Sequence, residues 1–250
     1  MNYVAHFNQD SDRYLLFRPS YPDALYLYLA ELVEDGCVWD CATGNGQAAF
    51  ALANYFSTVV ATDINSEPLK LAPSHPNIQY ICCAAENTPL QDHSIDLITI
   101  AQALHWFNFE LFYREVKRVA KPTAYIAAWC YTLGKFHSPI DEVIEELYYN
   151  ILGNKYWPKE RHFIDDAYTT IPFPFKKEST PSFLITKEIN LKQLVGYLKT
   201  WSAVKEYQLF NQKDPIQLII SKLQNLWGHP NLKYSINWPL YLIAGKVSKD

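Results

Sequence analysis

Between Gly36 and Tyr131, short apolar runs alternate with stretches of helix length, and no other feature limits more tightly what this chain can fold into. The runs are Cys37 to Cys41, Thr58 to Thr62, Ile78 to Cys83, Ile95 to Ile100 and Ala124 to Tyr131; Gln47 to Tyr55, Glu67 to Leu71 and Phe109 to Ala120 lie between them. A run that is apolar at successive positions has two faces to bury, which a parallel sheet covered by helices on both sides provides. The alternation predicts a doubly wound α/β sheet of mainly parallel strands.

The rest of the chain is read as additions to that sheet. An amphipathic helix from Asp23 to Val33 precedes it, opened by Pro22. After Tyr131 come a helix from Ser138 to Leu152, an irregular proline-punctuated stretch from Trp157 to Thr180, and a strand from Ser182 to Ile189. Helical stretches follow from Leu191 to Val204 and from Pro215 to Leu226, and a last strand begins at Trp238. With no repeat or linker in 250 residues, one domain is expected: an N-terminal cap (1–35), a core (36–132), a helical cover with one strand (133–230) and a final strand region (231–250).

Composition narrows the partners. Hydrophobic residues make up 49% of the chain, enough for a sizeable core. The formal charge is −4, and Pro19 to Leu69 holds seven acidic residues without one Lys or Arg, which argues against a nucleic-acid partner. Five cysteines, none spaced as C-x-x-C, read as reduced core thiols of a cytoplasmic protein. No stretch reaches the ~18 apolar residues of a membrane span, and Met1 to Arg13 lacks a leader pattern, so no membrane partner is expected. His6, His75, His93, His137, His162 and His229 show no metal-ligand spacing, and no metal is expected.

Glycine is scarce, eight in the whole chain, yet Gly36, Gly44 and Gly46 fall close together. The segment Val38-Trp39-Asp40-Cys41-Ala42-Thr43-Gly44-Asn45-Gly46-Gln47 lies where a buried strand turns into a helix. Glycines there permit positive φ and a close ligand, and the helix start offers unpaired N–H groups. Asp63 ends the next strand, where a carboxylate reaches a ribose lying across the strand ends. Gly44-x-Gly46-x-x-Ala49 formally satisfies a dinucleotide pattern, so a nicotinamide-dependent oxidoreductase is one reading. Against it stands Asp40, four residues before Gly44, whose charge would repel a pyrophosphate but attract the ammonium of an amino-acid cofactor.

The order D-x-x-x-G-x-G, then an acidic residue after the second strand, Ala85-Glu86-Asn87-Thr88-Pro89-Leu90 after the third, and Asp96 to Phe107 through the fourth resembles a class I S-adenosylmethionine-dependent methyltransferase. Three flanking segments resemble the small-molecule branch that includes trans-aconitate methyltransferases: Tyr14-x-x-x-Arg18-Pro19-x-Tyr21-Pro22, Gly196 to Ser202, and Trp238-Pro239-Leu240-Tyr241. The resemblance implies a Rossmann-like seven-stranded sheet with an antiparallel last strand, and methyl transfer to a small, carboxylate-bearing acceptor.

It also implies roles. Asp40 faces the methionine ammonium, with capping of the following helix as its other reading, and the backbone of Ala42, Gly44, Asn45 and Gly46 follows the methionine part. Asp63 takes the ribose hydroxyls, with a solvated strand-end carboxylate as its other reading; Ile64 and Ala85 flank the adenine, Ile64 reading otherwise as core, and Glu86 or a nearby backbone group meets its polar edge. Gln102 offers a main-chain carbonyl to the ammonium, and Tyr14 and Arg18 close over the cofactor, Arg18 pairing with its carboxylate. His105 stands past the fourth strand as a general base or a positioning group, and Trp106 as a substrate wall. Trp129, Tyr131, Trp157 and Trp201 read as an aromatic cage or as core, and Arg161 as an anchor for a substrate anion. Two departures stand out: Ala42 replaces the first glycine of the motif, which a negative φ would make tolerable, and Lys121-Pro122-Thr123-Ala124 replaces a Pro-Gly-Gly turn. A cofactor-binding protein without catalysis is the remaining reading, since methyl transfer requires no particular catalytic side chain.

Overall fold

The computed structural model of the chain describes residues 17–247. Seven strands form one sheet: β1 (Cys37–Cys41), β2 (Thr58–Asp63), β3 (Ile78–Cys82), β4 (Ile95–Ala101), β5 (Ala120–Tyr131), β6 (Phe183–Ile189) and β7 (Tyr234–Lys246). Their order is β3-β2-β1-β4-β5-β7-β6. β1 pairs in parallel with β2 and β4, β2 with β3, and β4 with β5, whereas β7 returns antiparallel to β5. Strand order reverses beside β1, and in a sheet of this kind the crevice outside the carboxyl ends of the strands at such a point takes the ligand.

Local chemistry accounts for most elements. The helix Phe109–Val119 starts at Asn108, whose side chain accepts the Leu111 N–H, and buries Phe112, Tyr113, Val116 and Val119 along one face. The helix Leu191–Lys199 opens with a reciprocal pair between Asn190 and Gln193. β1 and β4 are buried along nearly their whole length, as their unbroken apolar runs require.

The described chain groups into two compact units. One holds the sheet from β1 to β5 and comprises Ser20–Thr132, Phe163–Phe183 and residues 240–247; the other comprises residues 17–19, Leu133–His162 and Leu184–Pro239. The stretch read from sequence as a continuous cover is therefore interrupted. Phe163–Phe183 belongs to the sheet unit because Tyr168, Ile171 and Phe175 join the core cluster containing Phe112, Tyr113 and Ile126. Division within β7 falls at Pro239, which has no N–H to pair.

Three further expectations are corrected. The helical stretch from Leu191 to Val204 is two helices, Leu191–Lys199 and Ser202–Asn211, because Trp201 adopts an extended conformation (φ −68°, ψ 133°) between them. β5 begins at Ala120 rather than Ala124; the departure from Pro-Gly-Gly at Lys121 to Ala124 goes with an irregularity in the pairing, since Ile95 aligns with Ala120 while Leu97 aligns with Tyr125. Cys82 is exposed, not core, because β3 is an edge strand. Cys41 and Cys130 are buried, and all five cysteines are free thiols. Among the described residues no helix is long and apolar enough to cross a membrane.

Candidate functional site

The turn after β1 is built from left-handed residues. Ala42 (φ 55°), Gly44 (φ 59°) and Gly46 (φ 78°) all lie at positive φ. The negative φ expected for Ala42 is thus overturned: Ala42 is left-handed where β1 ends, while the Thr43 N–H still bonds the Thr62 carbonyl of the neighbouring strand at 2.9 Å. The two glycines serve different ends. A Cβ at Gly46 would stand 2.6 Å from the Tyr80 hydroxyl and 3.1 Å from Ala72, so close packing against β3 excludes one. A Cβ at Gly44 would meet nothing within 4 Å, leaving open space above that peptide.

Asp40 lies under this turn, without exposed surface. One carboxylate oxygen accepts the Thr43 hydroxyl at 2.5 Å and the other the Thr99 hydroxyl at 2.8 Å. Burial pushes its carboxyl up to about 6, against the pull of the Thr43 and Thr99 hydroxyls and the Ala49 N–H. The capping reading of this residue has a counterpart in the structure. It lies beneath the start of the helix Gln47–Leu52 and accepts the Ala49 N–H there.

Asp63 ends β2 nearly buried and accepts the Gly44 N–H and the Asn65 N–H, both at 2.8 Å. Burial raises its carboxyl above the ordinary range, partly offset by the N–H groups of Asn65, Gly44 and Ile64. The same carboxylate that would take a ribose thus also shapes the glycine turn. Next to it Ile64 is 56% exposed, an apolar side chain of β2's end left facing outward. Asn45 is buried within the turn. Ala85 is buried after β3, and the Glu86 carboxylate accepts the Asn108 N–H at 3.1 Å, a contact that caps the helix Phe109–Val119.

Past β4 the chain turns at Gln102 (φ 58°). Its side chain is consumed by the end of β5, accepting the Tyr131 N–H at 2.8 Å and donating to the Tyr131 carbonyl at 3.3 Å. Any contact of Gln102 with a ligand is therefore made by its main chain. A short 3-10 turn, Leu104–Trp106, follows. His105 is buried there, its ring 4.7 Å from that of Trp106 and its Nδ1 3.0 Å from the Tyr168 hydroxyl. Trp129 is buried at the end of β5, 5.5 Å from the Tyr21 ring, and Tyr131 lies 6.5 Å from Tyr21.

Arg18 belongs to the other unit. It donates to the Thr200 carbonyl at 3.2 Å and lies 5.5 Å from the Tyr197 ring centroid. The Tyr197 hydroxyl in turn accepts the Trp238 indole N–H at 3.1 Å. The three flanking segments of the sequence resemblance thus meet in one cluster. Arg161 stands at the far end of the same aromatic series, donating to the Tyr148 hydroxyl at 2.7 Å and lying 4.7 Å from the Trp157 centroid. Trp201 joins the two ends, 5.8 Å from Tyr197, 5.6 Å from Trp157 and 5.5 Å from Tyr148. Tyr14 lies outside the described residues.

Two participants were missed in the sequence. Thr99 carried a readable signal, a single hydroxyl in an apolar strand, directly opposite Asp40 in the pairing of β1 with β4. Tyr168 carried none, being 63 residues from His105 in the irregular stretch. Among the described residues no group of His, Cys, Asp and Glu could hold a metal ion.

The strand order reverses beside the left-handed glycine turn, with carboxylates at the ends of β1 and β2, and comparison with known proteins shows the family to which a chain of this kind belongs. The methyltransferase domain family matches residues 39–128. A methyltransferase of Dictyostelium discoideum is 32% identical over 96% of this chain and 94% of its own. An S-adenosylmethionine-dependent methyltransferase of Saccharomyces cerevisiae is 24% identical over 94% of both. The solved structure of a type II methyltransferase from Anaeromyxobacter dehalogenans is 37% identical, covers 92% of this chain and 98% of its own, and superposes with a TM-score of 0.85. The chain belongs to the class I S-adenosylmethionine-dependent methyltransferases. The nicotinamide reading of the glycine turn is set aside accordingly.

The residues present suit that cofactor. The open space above Gly44 leaves room for a chain to follow the backbone, Asp40 places a negative charge beneath it, and exposed Ile64 beside Asp63 offers an apolar flank for a base.

Proposed function

We propose that this methyltransferase acts on a small carboxylate-bearing molecule of the trans-aconitate type, in the cytoplasm. The observation that carries the reading is Arg161 in the second unit, its guanidinium over the rings of Tyr148 and Trp157 within an aromatic series that runs on to Trp201. Cationic forks among apolar rings favour planar anions over neutral or cationic molecules. The net charge of −4 supports a small acceptor rather than nucleic acid, and five free thiols support a reducing compartment.

S-adenosylmethionine supplies a methyl on a sulfonium sulfur already activated towards a nucleophile. The chain's own residues bind and orient. Asp40 favours the ammonium, the backbone of Ala42 to Gly46 follows the methionine part, and Asp63 accepts the ribose hydroxyls. Ile64 and Ala85 flank the adenine, Glu86 stands at its polar edge, the Gln102 carbonyl meets the ammonium, and Tyr14 and Arg18 close on the carboxylate end. His105 and Trp106 hold the acceptor, which needs no base when its nucleophile is a carboxylate. Residues 133–230, excluding Phe163–Phe183, carry acceptor choice, with Arg161 as anchor.

Incubation with methyl-labelled S-adenosylmethionine and a panel of carboxylic acids, their methyl esters, RNA and protein tests the acceptor. Label is expected in trans-aconitate or a related acid and not in its full ester. Substituting Arg161→Met is expected to raise the KM for that acid more than tenfold, about 1.4 kcal/mol. Label confined to RNA or protein rejects the proposal.

A further inference from the structure

We propose that the indole N–H of Trp129 is a hydrogen-bond donor to the carboxylate of S-adenosylmethionine. The inference rests on the reading that seats the cofactor's ammonium by Asp40 and the Gln102 carbonyl, and it adds a partner for the neighbouring group.

Trp129 is fully buried, and its Nε1 has no hydrogen-bond partner among the described residues. Buried donors are nearly always paired, because an unpaired one has given up water for nothing. The other fully buried tryptophans follow that rule. Trp39 donates to the Thr62 hydroxyl at 2.9 Å, Trp227 to the Leu232 carbonyl at 3.0 Å and Trp238 to the Tyr197 hydroxyl at 3.1 Å. A phenylalanine or leucine at position 129 would fill a core without stranding a donor, so packing alone does not account for the indole.

Its place in the sheet identifies the missing acceptor. Side chains alternate along a strand, and Ile126, Ala128 and Cys130 of β5 join the core cluster that also takes Ile98 and Ile100 of β4 and Trp39 and Cys41 of β1. Trp129, Thr99 and Asp40 therefore share the opposite face, where Thr99 and Asp40 meet at 2.8 Å. On that face Trp129 pairs with Ala101, two residues beyond Thr99 towards the carboxyl ends of the strands. Gln102 follows, its N–H bonded to the Trp129 carbonyl at 2.8 Å. The ammonium and carboxylate of the cofactor share one carbon, so an ammonium seated at the Gln102 carbonyl brings a carboxylate to this corner of the sheet. An indole suits the task because it carries no charge: it can stand buried without its ligand, as an unpaired guanidinium could not. The ring against it, at 5.5 Å, is that of Tyr21, in the irregular segment ahead of the helix Asp23–Leu32. Binding turns that side chain aside, since the indole itself has no exposed surface.

The test replaces Trp129 in the full-length protein by benzothienylalanine, which keeps the bicyclic ring and puts sulfur in place of the N–H. Because the N–H lacks a partner in the free protein, the melting temperature without ligand is expected to stay level or rise. In calorimetry the affinity for S-adenosylhomocysteine is expected to fall about tenfold, while that for its decarboxylated analogue, which keeps the amine, stays within about twofold. In wild-type protein labelled with 15N at tryptophan, the indole signal that the replacement removes is expected to move downfield with S-adenosylhomocysteine and to hold still with the decarboxylated analogue. Equal losses for the two ligands, no loss for either, a lower melting temperature of the free protein, or an unmoved indole signal overturns the proposal. If an analogue lacking the amine binds the wild type as tightly as S-adenosylhomocysteine, the seat of the ammonium fails by itself, and the carboxylate comparison still decides the role of Trp129.

Discussion

At the scale of single residues, Asp40 and Ala42 both occupy positions that cost stability. Asp40 is ionisable, fully buried, and pushed up to about 6. A carboxyl raised in the folded state holds its proton longer there than in the unfolded chain, so its contribution is favourable below the ordinary value near 4 and is lost as pH rises to 6. The stability of Asp40→Asn relative to wild type is therefore expected to increase between pH 4 and 6, by up to about 3 kcal/mol, in urea unfolding followed across pH. Its ionised form is the one that attracts a cation, so wild-type affinity for S-adenosylhomocysteine is expected to rise through pH 6, with Asp40→Asn flat in calorimetry. For Ala42, relief of the left-handed backbone outweighs the extra freedom that glycine gives the unfolded chain. Ala42→Gly is expected to stabilise by about 0.5 kcal/mol, read as a melting temperature higher by about 1–2 °C. The sequence showed that a glycine was missing from the motif, but the sign of φ depends on where the chain must go after β1, and only the fold decides that.

At the scale of elements, the loop after β3 is held by the helix Phe109–Val119. Glu115 accepts the Thr88 N–H at 2.8 Å and the Thr88 hydroxyl at 2.6 Å, while Arg118 donates to Glu115 and to the carbonyls of Thr88 and Leu90. Glu115→Ala leaves two donors of Thr88 and one face of Arg118 without their partner, a cost of about 2 kcal/mol after allowing for the partial exposure of Arg118. It is expected to weaken S-adenosylhomocysteine binding as well, because Ala85 and Glu86 lie on the same loop. Equal affinity for variant and wild type in calorimetry would show that the loop holds no cofactor. The two glycines of the turn separate packing from ligand space. Gly46→Ala is expected to destabilise strongly, since its Cβ meets Tyr80 and Ala72. Gly44→Ala is expected to cost only about 1–2 kcal/mol of stability yet to lower cofactor affinity more than Gly46's neighbours would lead one to expect, its methyl entering the open space. The alternation of strands and helices was readable because each element's period is set by neighbours within a few positions. The break at Trp201 was not, because an indole seated among Tyr148, Trp157 and Tyr197 overrides helix propensity there.

For the whole molecule, cofactor binding should be visible as stability. A ligand that binds only the folded state stabilises by about 2.7 kcal/mol at one hundred times its Kd, which raises the melting temperature by roughly 5–10 °C in a chain of this size. That rise is expected with S-adenosylmethionine or S-adenosylhomocysteine and not with NADH, measured by scanning calorimetry. Two units imply a second outcome: the glycine turn proposed to hold the cofactor lies in the sheet unit, so hydrogen exchange should slow in β1, β2 and that turn when the cofactor binds.

The parallel sheet, the position of the turn, and the pair Asp40 and Asp63 were determined by the sequence alone. Apolar periodicity and the chemistry of a few adjacent residues act over short separations, and they survive any arrangement of the rest. The tertiary structure decided the left-handed Ala42, Thr99 beneath Asp40, the return of Phe163–Phe183 to the sheet unit, and Tyr168 at His105. The Thr99 and Tyr168 contacts join residues about sixty positions apart. No local pattern encodes them, because each depends on which side chain fills the space that the packed core leaves.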